Sequence, residues 1–370
     1  MEKKLEIWKS QLRERTQLPE NIPSEIYIWG TGLLGAFAIR QFSNAGTKVK
    51  GVLTSSGYGE CDSVEGIPVV DLETVKKTDI IVVCSISYSA IEDYLTSMNY
   101  KKYFYYELFP CLYPEIKAYF MWGDNIWDRM IHNGSKIEQL HKLLQHDSLS
   151  TLILHNLISY RITFDEQYID RAYNISTVRG TQYFDREIVN LGQNEVFVDC
   201  GASVGYISED FIRLTHNEYK DIYLLEADPE VCVVAQNLLK NYKNVHFLPV
   251  GVGEKDEFLY FDSNPAHPTY GAVSKYGDKR VHIVKLDDVL EKCTPTMIAM
   301  DIEGSEMAAL KGAEKLIRRC RPKMSISVYH KFEDLFEIPL WLNELNLNYK
   351  FYLRHYTRAY CDSVLICIPQ

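Results

Sequence analysis

The sequence predicts an α/β fold with two α/β domains joined by a helical connector, and three observations carry this prediction. The chain has 370 residues, which is more than a single hydrophobic core usually serves. Short apolar runs typical of buried strands alternate with helical spacing in two separate regions. Between them, helical spacing continues with few Gly or Pro. The expected division is therefore a domain of residues 1–110, a connector or cap of residues 111–180 and a domain of residues 181–370.

Composition excludes several classes of protein. The formal net charge of −10 argues against a general nucleic-acid binder, which needs clustered Lys and Arg. No apolar run is long enough to cross a bilayer, and a charged stretch rather than a signal peptide follows Met1. Nine scattered cysteines without a C-x-x-C pair are typical of a reducing compartment. We therefore expect a cytoplasmic protein, and the sequence leaves homo-oligomerisation open.

The first region begins with a strand that runs directly into a glycine-rich loop. The apolar run at residues 26–29 precedes Gly30, Gly32 and Gly35, which form G-x-G-x-x-G, and a helix pattern follows. Further strands are expected at residues 49–53, 80–84 and 103–106. This strand–loop–helix order is the context of a dinucleotide-binding fingerprint and indicates a small Rossmann-like domain.

Two interpretations of this loop stay open. Glycines let the backbone approach a phosphate, and a helix N-terminus offers free N–H groups and a positive dipole end. The fingerprint also requires a carboxylate after the next strand to hold a ribose, but Thr54 and Ser55 follow Leu53. The loop is either a pocket for a nucleotide or nucleotide sugar, or a set of glycines that serve only helix–strand packing.

The second α/β region supplies two acidic strand ends. A strand at residues 196–200 contains Asp199 and enters a loop of small residues that ends at Gly205. A carboxylate there would repel phosphate but suits a ligand with a cationic centre. The next strand ends in Glu226, where a carboxylate can accept hydrogen bonds from both hydroxyls of a ribose. Together these features describe S-adenosylmethionine better than NAD.

Five segments of this region resemble the FkbM family of S-adenosylmethionine-dependent methyltransferases. They are Phe197 to Gly205, Glu226 to Pro229, Lys285 to Val289, Asp301 to Glu306 and Leu310 to Ala313. The resemblance covers about residues 181–370. It implies a class I methyltransferase fold, which is a doubly wound, mostly parallel sheet of seven strands whose last strand is antiparallel. It also implies O-methylation of a sugar, nucleotide sugar, glycan or secondary metabolite, with S-adenosylmethionine as the cofactor.

The family motif assigns individual residues to the cofactor. The resemblance implies that the loop residues line the methionine end and that Glu226 holds the ribose. The predicted cofactor-binding residues are Asp199, Gly201, Ala202, Ser203, Gly205, Tyr206, Glu226, Ala227, Val250, Gly251 and Asp301. The common pattern has Asn-Ile where this chain has Ser203-Val204, and that change keeps a small polar residue.

Methylation of an alcohol also requires a general base. Asp301 ends an apolar run and Glu303 follows two residues later, so the two carboxylates either serve the chemistry or cap a helix that begins near Ser305. His330 follows another strand and has an ordinary pKa suited to proton transfer near neutrality. We expect His330 to be the base and Asp301 to orient the acceptor, with a structural histidine as the alternative. Carboxylate count alone does not indicate a metal, so no metal requirement is expected.

Two further functions stay open from the sequence. A nucleotide-sugar oxidoreductase or epimerase could work from the Gly30 loop, but it lacks the expected ribose carboxylate. A binding protein that has lost its chemistry could keep the same fold, although the retained Asp199, Glu226, Asp301 and His330 argue against it.

Overall fold

Two α/β units make up the chain in the computed structural model, which describes residues 2–55, 61–85, 88–118, 125–176, 180–262, 272–274 and 279–370. The first unit comprises Met1–Gly134 and Ile158–Tyr168, and the second comprises Ser135–Leu157 and Ile169–Gln370. The three-part division and the cytoplasmic location expected from the sequence stay predictions. In the described part of the chain, no helix combines the length and the apolar character that a membrane span needs.

A parallel sheet forms the centre of the first unit. The strands of this unit are β1 (Glu25–Trp29), β2 (Lys48–Leu53), β3 (Ser63–Val64), β4 (Ile67–Pro68), β5 (Ile81–Val83) and β6 (Tyr103–Tyr105). The helices are α1 (Glu2–Thr16), α2 (Leu33–Asn44), α3 (Tyr88–Ser97), α4 (Leu108–Leu112) and α5 (Ile126–His132). The sheet order is β2-β1-β5-β6, and all neighbours are parallel. The central strands β1 and β5 are almost entirely apolar and buried, because both faces of a parallel sheet are covered.

Helices occupy most of the next stretch of chain. They are α6 (Gly134–Leu144), α7 (Ser148–Thr163) and α8 (Glu166–Ser176). The Asp147 carboxylate accepts the Ser150 N–H at 3.0 Å, which satisfies one of the free donors at the start of α7. Helical spacing in the sequence correctly indicated helices here.

The second unit contains a seven-stranded sheet and a smaller four-stranded sheet. The strands of this unit are β7 (Gly180–Thr181), β8 (Phe184–Asp185), β9 (Val196–Cys200), β10 (Asp221–Leu225), β11 (Val245–Leu248), β12 (Gly251–Val252), β13 (Glu257–Asp262), β14 (Ala272–Ser274), β15 (Lys279–Val284), β16 (Met297–Met300), β17 (Lys323–Ser327), β18 (Tyr349–His355) and β19 (Ser363–Pro369). The helices are α9 (Tyr206–Leu214), α10 (Pro229–Leu239), α11 (Leu286–Val289), α12 (Glu306–Lys311), α13 (Glu314–Cys320) and α14 (Asp334–Glu344).

The strand order of the large sheet determines where a crevice opens at its edge. The order is β11-β10-β9-β16-β17-β19-β18. Neighbours from β11 to β17 are parallel, whereas β19 is antiparallel to β17 and β18. The chain leaves β9 toward one side and returns to its other side at β16. Such a reversal opens a crevice at the carboxyl ends of the strands, where Asp199, Glu226 and Asp301 lie.

Aromatic packing fixes β9 at the centre of this sheet. All five residues of β9 are buried, and the Phe197 ring stacks on the Phe211 ring of α9 with 4.4 Å between centroids. Replacing such a buried phenylalanine with alanine costs about 3–5 kcal/mol. The strand that carries Asp199 is therefore held rigidly.

The smaller sheet has the order β12-β15-β13-β14, and it was not predicted from the sequence. Its inner side buries only a small cluster, with Val281 and Ile283 at the centre. Phe258 and Tyr260 of β13 are more than half exposed. An apolar run is present in β13 at residues 258–261, but it was not recognised as a strand from the sequence.

Candidate active site

The loop after β9 is shaped by glycines in left-handed conformations. Gly201 has φ +80° and Gly205 has φ +95°, a region that favours glycine. A Cβ on Gly201 would lie 1.9 Å from the Asp301 carbonyl oxygen. The N–H groups of Gly201 and Ala202 donate to the Leu225 carbonyl at 2.9 and 3.1 Å. The loop therefore folds tightly over the ends of β9, β10 and β16.

Glu226 follows β10, and two backbone N–H groups hold its carboxylate. Oε2 accepts from Ser203 and Oε1 accepts from Asp228, both at 2.8 Å. Burial raises the pKa of Glu226, although these backbone hydrogen bonds oppose the shift. Each oxygen keeps a further acceptor position. The carboxylate is thus fixed in place and can still accept hydrogen bonds from a ligand.

Asp199 is fully buried in β9. Its Oδ2 accepts a hydrogen bond from the Ser208 hydroxyl at 2.7 Å, whereas its Oδ1 has no hydrogen-bond partner among the described residues. Burial raises the pKa of Asp199 to about 7, with further contributions from the negative charges of Glu226 and Asp301. These neighbouring carboxylates make the edge favourable for a positive charge.

The other predicted cofactor residues lie at the same carboxyl edge of the sheet. Tyr206 begins α9 and is 67% exposed. Val250 follows β11, and its N–H donates to the Leu248 carbonyl at 2.8 Å. A Cβ on Gly251 would lie 3.3 Å from the Cβ of Ala227, so these two residues are neighbours. The predicted set is thus distributed over the ends of β9, β10, β11 and β16.

Asp301 follows β16, and two tyrosine hydroxyls approach its carboxylate. Tyr183 donates to Oδ2 at 2.6 Å, and Tyr329 donates to Oδ1 at 3.4 Å. Burial and the Asp301 charge raise the pKa of Tyr183 well above its ordinary value, so this hydroxyl stays a neutral donor. The Asp301 side chain is 23% exposed. It is therefore oriented by the protein and partly accessible to a ligand.

A fully buried ion pair lies beside Asp301. Nδ1 of His330 is 2.7 Å from Oε1 of Glu306, and both side chains are 0% exposed. Burial alone would lower the pKa of His330, but Glu306, Asp301 and Glu303 together raise it to about 9. Burial would likewise raise the pKa of Glu306, but the His330 charge and its hydrogen bond lower it. At neutral pH the pair is an imidazolium and a carboxylate.

Glu303 lies on the other side of this imidazolium. Nε2 of His330 is 3.4 Å from Glu303 Oε2 and 3.3 Å from Asp301 Oδ1. The Glu303 side chain is 27% exposed. Burial raises the pKa of Glu303 to about 7, with the His330 charge opposing this and the Asp301 and Glu306 charges adding to it. A carboxyl group with that pKa can exchange a proton near neutrality.

Helix α12 begins without a cap from Asp301 or Glu303. No side-chain hydrogen bond caps it at Ser305. The free N–H groups of Ile302 and Gly304 are instead satisfied by Glu306 Oε1, at 3.0 and 3.4 Å. The carboxylates of Asp301 and Glu303 are therefore not used as helix caps.

Sequence reasoning assigned no role to several residues of this cluster. They are Glu306, Tyr329, Gln182 and Asp362. Gln182 donates to the Asp362 carboxylate at 3.0 Å, and burial together with the Asp301 charge raises the pKa of Asp362 to about 6. Glu306 was visible in the motif Asp301 to Glu306, but its burial and its pairing with a residue after another strand are properties of the fold.

The region that contains this site is similar to known proteins. The methyltransferase FkbM domain model matches residues 199–351, and a search of curated proteins gives no match. The methyltransferase FkbM from Methylobacillus flagellatus KT is similar in structure, with a TM-score of 0.75 and 20% sequence identity over 97% of this chain and 93% of that chain. This similarity shows a methyltransferase-like α/β fold.

Two more distant structures have low TM-scores and support no conclusion about this chain. An rRNA methylase from Streptococcus thermophilus has 10% identity over 56% of this chain and 95% of that chain, with a TM-score of 0.31. Fibrillarin from Aeropyrum pernix has 9% identity over 50% of this chain and 71% of that chain, with a TM-score of 0.30. The family match itself covers the loop after β9, Glu226, Asp301 and His330. The chain therefore carries a methyltransferase FkbM domain at residues 199–351 and is an enzyme of the methyltransferase class.

Proposed function

We propose that the second unit is a class I, doubly wound methyltransferase that uses S-adenosylmethionine to methylate a hydroxyl group. The acceptor we propose is a small molecule or carbohydrate: a sugar, nucleotide sugar, glycan or secondary metabolite. One observation carries the proposal. Two buried carboxylates, Asp199 and Glu226, lie at the ends of adjacent strands beside a tight glycine loop, and the partly exposed carboxylates of Asp301 and Glu303 lie at the same edge.

The residues present fit this cofactor. Glu226 keeps a free acceptor position on each oxygen after its two backbone hydrogen bonds, as two ribose hydroxyls require. A Cβ on Gly201 would lie 1.9 Å from Asp301 O, so this glycine lets the loop pack closely against the end of β16. The buried and unpartnered Oδ1 of Asp199 adds negative charge that stabilises the cationic methionine end.

When bound, S-adenosylmethionine supplies a methyl group activated by a sulfonium. The protein must position the acceptor oxygen in line with that methyl group and exclude water. Asp301, oriented by Tyr183, is suited to accept the hydrogen bond of the acceptor hydroxyl. A neighbouring group must then take the proton as the new O–CH₃ bond forms and the sulfonium bond breaks.

The contacts favour Glu303 over His330 as the group that takes the proton. His330 is fully buried and has a pKa of about 9, so at neutral pH it carries both ring protons and has no free lone pair. Glu303 is partly exposed and has a pKa of about 7. In this assignment His330 is a positioning residue whose charge holds the Glu303 and Asp301 carboxylates in place.

The acceptor class is tested by incubating the protein with S-adenosylmethionine and a panel of sugars, nucleotide sugars, glycans and phenols. We expect formation of S-adenosylhomocysteine with at least one hydroxyl acceptor, and a methoxy signal in the nuclear magnetic resonance spectrum of its product. Transfer only to amines in a parallel panel would contradict the proposed O-methylation while leaving the methyltransferase assignment intact.

Removal of metals is expected to leave methyl transfer unchanged. Asp301, Glu306 and His330 each offer one ligand atom within 4.8 Å of the others, but two of these groups are hydrogen-bonded to each other at 2.7 Å. The transfer rate is measured after treatment with EDTA and again after addition of Mg²⁺ or Zn²⁺. Lost activity that either ion restores would show that the cluster binds a metal.

A further inference from the structure

The first unit has a glycine loop that the methyltransferase reaction does not use. Gly30 has φ +140°, and a Cβ there would lie 2.5 Å from the Cys84 carbonyl oxygen. A Cβ on Gly35 would lie 2.0 Å from the Gly30 carbonyl oxygen. Packing between α2, β1 and the chain after β5 therefore explains both of these glycines.

Gly32 has no such explanation. Its φ of −81° and ψ of −169° are values that any residue adopts, and a Cβ on Gly32 would meet no heavy atom within 4 Å. Neither backbone conformation nor packing within the described residues requires glycine at this position. In the dinucleotide fingerprint, the middle glycine is the one that lets the backbone approach a pyrophosphate.

Helix α2 begins directly after Gly32. It has 12 residues, its first turn contains no acidic residue, and no side-chain hydrogen bond caps it. The N–H groups and the positive dipole end of such a helix favour an anion. In the sheet order β2-β1-β5-β6, the chain passes from β1 to β2 on one side and continues with β5 on the other side of β1. Parallel sheets bind ligands at such a point, beside the carboxyl ends of the two strands.

An independent observation at this edge is the buried carboxyl group of Glu107. Glu107 follows β6, and its Oε1 is buried without a hydrogen-bond partner among the described residues. The residues just before Glu107 and Cys84 are neighbours, because the Tyr106 N–H donates to the Val83 carbonyl at 3.0 Å. The Cys84 Cβ would in turn lie 3.3 Å from a Cβ on Gly30. Glu107 thus belongs to the same strand edge as the glycine loop.

The Glu107 carboxyl does not oppose an anionic ligand. Burial raises its pKa to about 8, so the group is mostly neutral at pH 7 and can donate its proton to a ligand acceptor. A buried carboxyl oxygen such as Oε1 is costly to leave without a hydrogen bond. A base or sugar of a bound nucleotide supplies such polar atoms.

We propose that the first unit binds a nucleoside diphosphate group, with its phosphates against Gly32 and the start of α2 and its nucleoside toward Glu107. Oxidoreductase chemistry is not part of the proposal. The chain has a Tyr-x-x-x-Lys spacing at Tyr113 and Lys117, but the Tyr113 side chain is buried and its hydroxyl donates to the Pro19 carbonyl at 2.6 Å. The site is thus proposed for binding, and it is independent of S-adenosylmethionine binding in the second unit.

The test is calorimetric titration of the full chain with UDP, UDP-glucose, ADP, NADH and inorganic phosphate, repeated on Gly32→Ala. The added methyl group meets nothing in the protein, so we expect unchanged thermal stability and at least tenfold weaker nucleotide binding. Gly134→Ala is the matched control, because a Cβ there also meets nothing within 4 Å. It should bind as the wild type does.

Comparison of the affinities of these ligands distinguishes the possible sources of the diphosphate group. Tighter binding of UDP and UDP-glucose would identify a nucleotide-sugar site, and tighter binding of ADP and NADH would identify a dinucleotide site. Three results would overturn the proposal: no nucleotide binding at millimolar concentration, nucleotide binding no tighter than that of phosphate, or equal affinity in Gly32→Ala. Titration of the same samples with S-adenosylmethionine reports separately on the second unit.

Discussion

Replacing Glu306 with alanine is expected to lower the free energy of unfolding by about 3–5 kcal/mol, because removal of one partner leaves the other charge buried and unpaired. Glu306 is fully buried, pairs with His330 at 2.7 Å and satisfies two backbone N–H groups before α12. Chemical denaturation of the wild type and of Glu306→Ala at pH 6 measures the difference in the free energy of unfolding. The matched control is Glu314→Ala, which breaks an exposed pair with Arg318 and should cost less than about 1 kcal/mol.

The effect of Glu306→Ala is also expected to depend on pH. The pKa of His330 is raised from 6.5 to about 9 in the folded protein, so its contribution is fully present below pH 6.5 and is lost as the pH rises through about 9. The pKa of Glu306 is lowered from 4.5, so its contribution is present above about pH 4.5. The stability difference should therefore be largest near pH 5–6 and smaller at pH 9.5. A difference that grows from pH 6 to pH 9.5 would contradict the charged pair.

Replacing Glu303 with glutamine is expected to lower kcat by about 100- to 10,000-fold, which is the usual contribution of a general base. Glutamine keeps the size of the side chain but cannot take the proton. The rate is measured with the best hydroxyl acceptor, and affinity for S-adenosylmethionine should be nearly unchanged. Glu337→Gln, at a partly exposed carboxylate that pairs with Lys136, is the control and should keep the wild-type rate.

The pH profile separates Glu303 from His330 as the base. If Glu303 takes the proton, kcat should rise through about pH 7 as this carboxyl ionises and fall above about pH 9 as His330 loses its charge. Asp301, Glu306 and Asp362 also act on Glu303, so the observed values belong to the cluster. A rate that instead rises through pH 9, with full activity in Glu303→Gln, would make His330 the base, as the sequence alone suggested.

Apolar runs were sufficient to predict the strands of the parallel sheet in the first unit and of the seven-stranded sheet in the second. The strand predicted at residues 196–200 is observed as Val196–Cys200, and the one predicted at residues 80–84 is observed as Ile81–Val83. These strands are buried on both faces, so their sequences contain little else than apolar residues. The positions of Asp199, Glu226 and Asp301 at strand ends followed from the same pattern.

Burial and charge coupling were not predictable from the sequence. His330 looked like a titrating base because its type and its position after a strand were correct for one. Its complete burial and its contact with Glu306 depend on how the fold brings the start of α12 beside the chain after β17, which no local pattern encodes. The smaller sheet from β12 to β15 was also missed, and Phe258 and Tyr260 of its β13 are more than half exposed.

Calorimetric titration determines whether the second unit binds S-adenosylmethionine and whether Glu226 holds it. The wild type, Glu226→Ala and the exposed-site control Glu218→Ala are titrated under identical conditions. We expect clear binding to the wild type and to the control, and binding weakened by about 1.5–3 kcal/mol in Glu226→Ala, as loss of hydrogen bonds to a charged group predicts. Absence of binding to the wild type, or equal affinity in all three proteins, would contradict this account of the site.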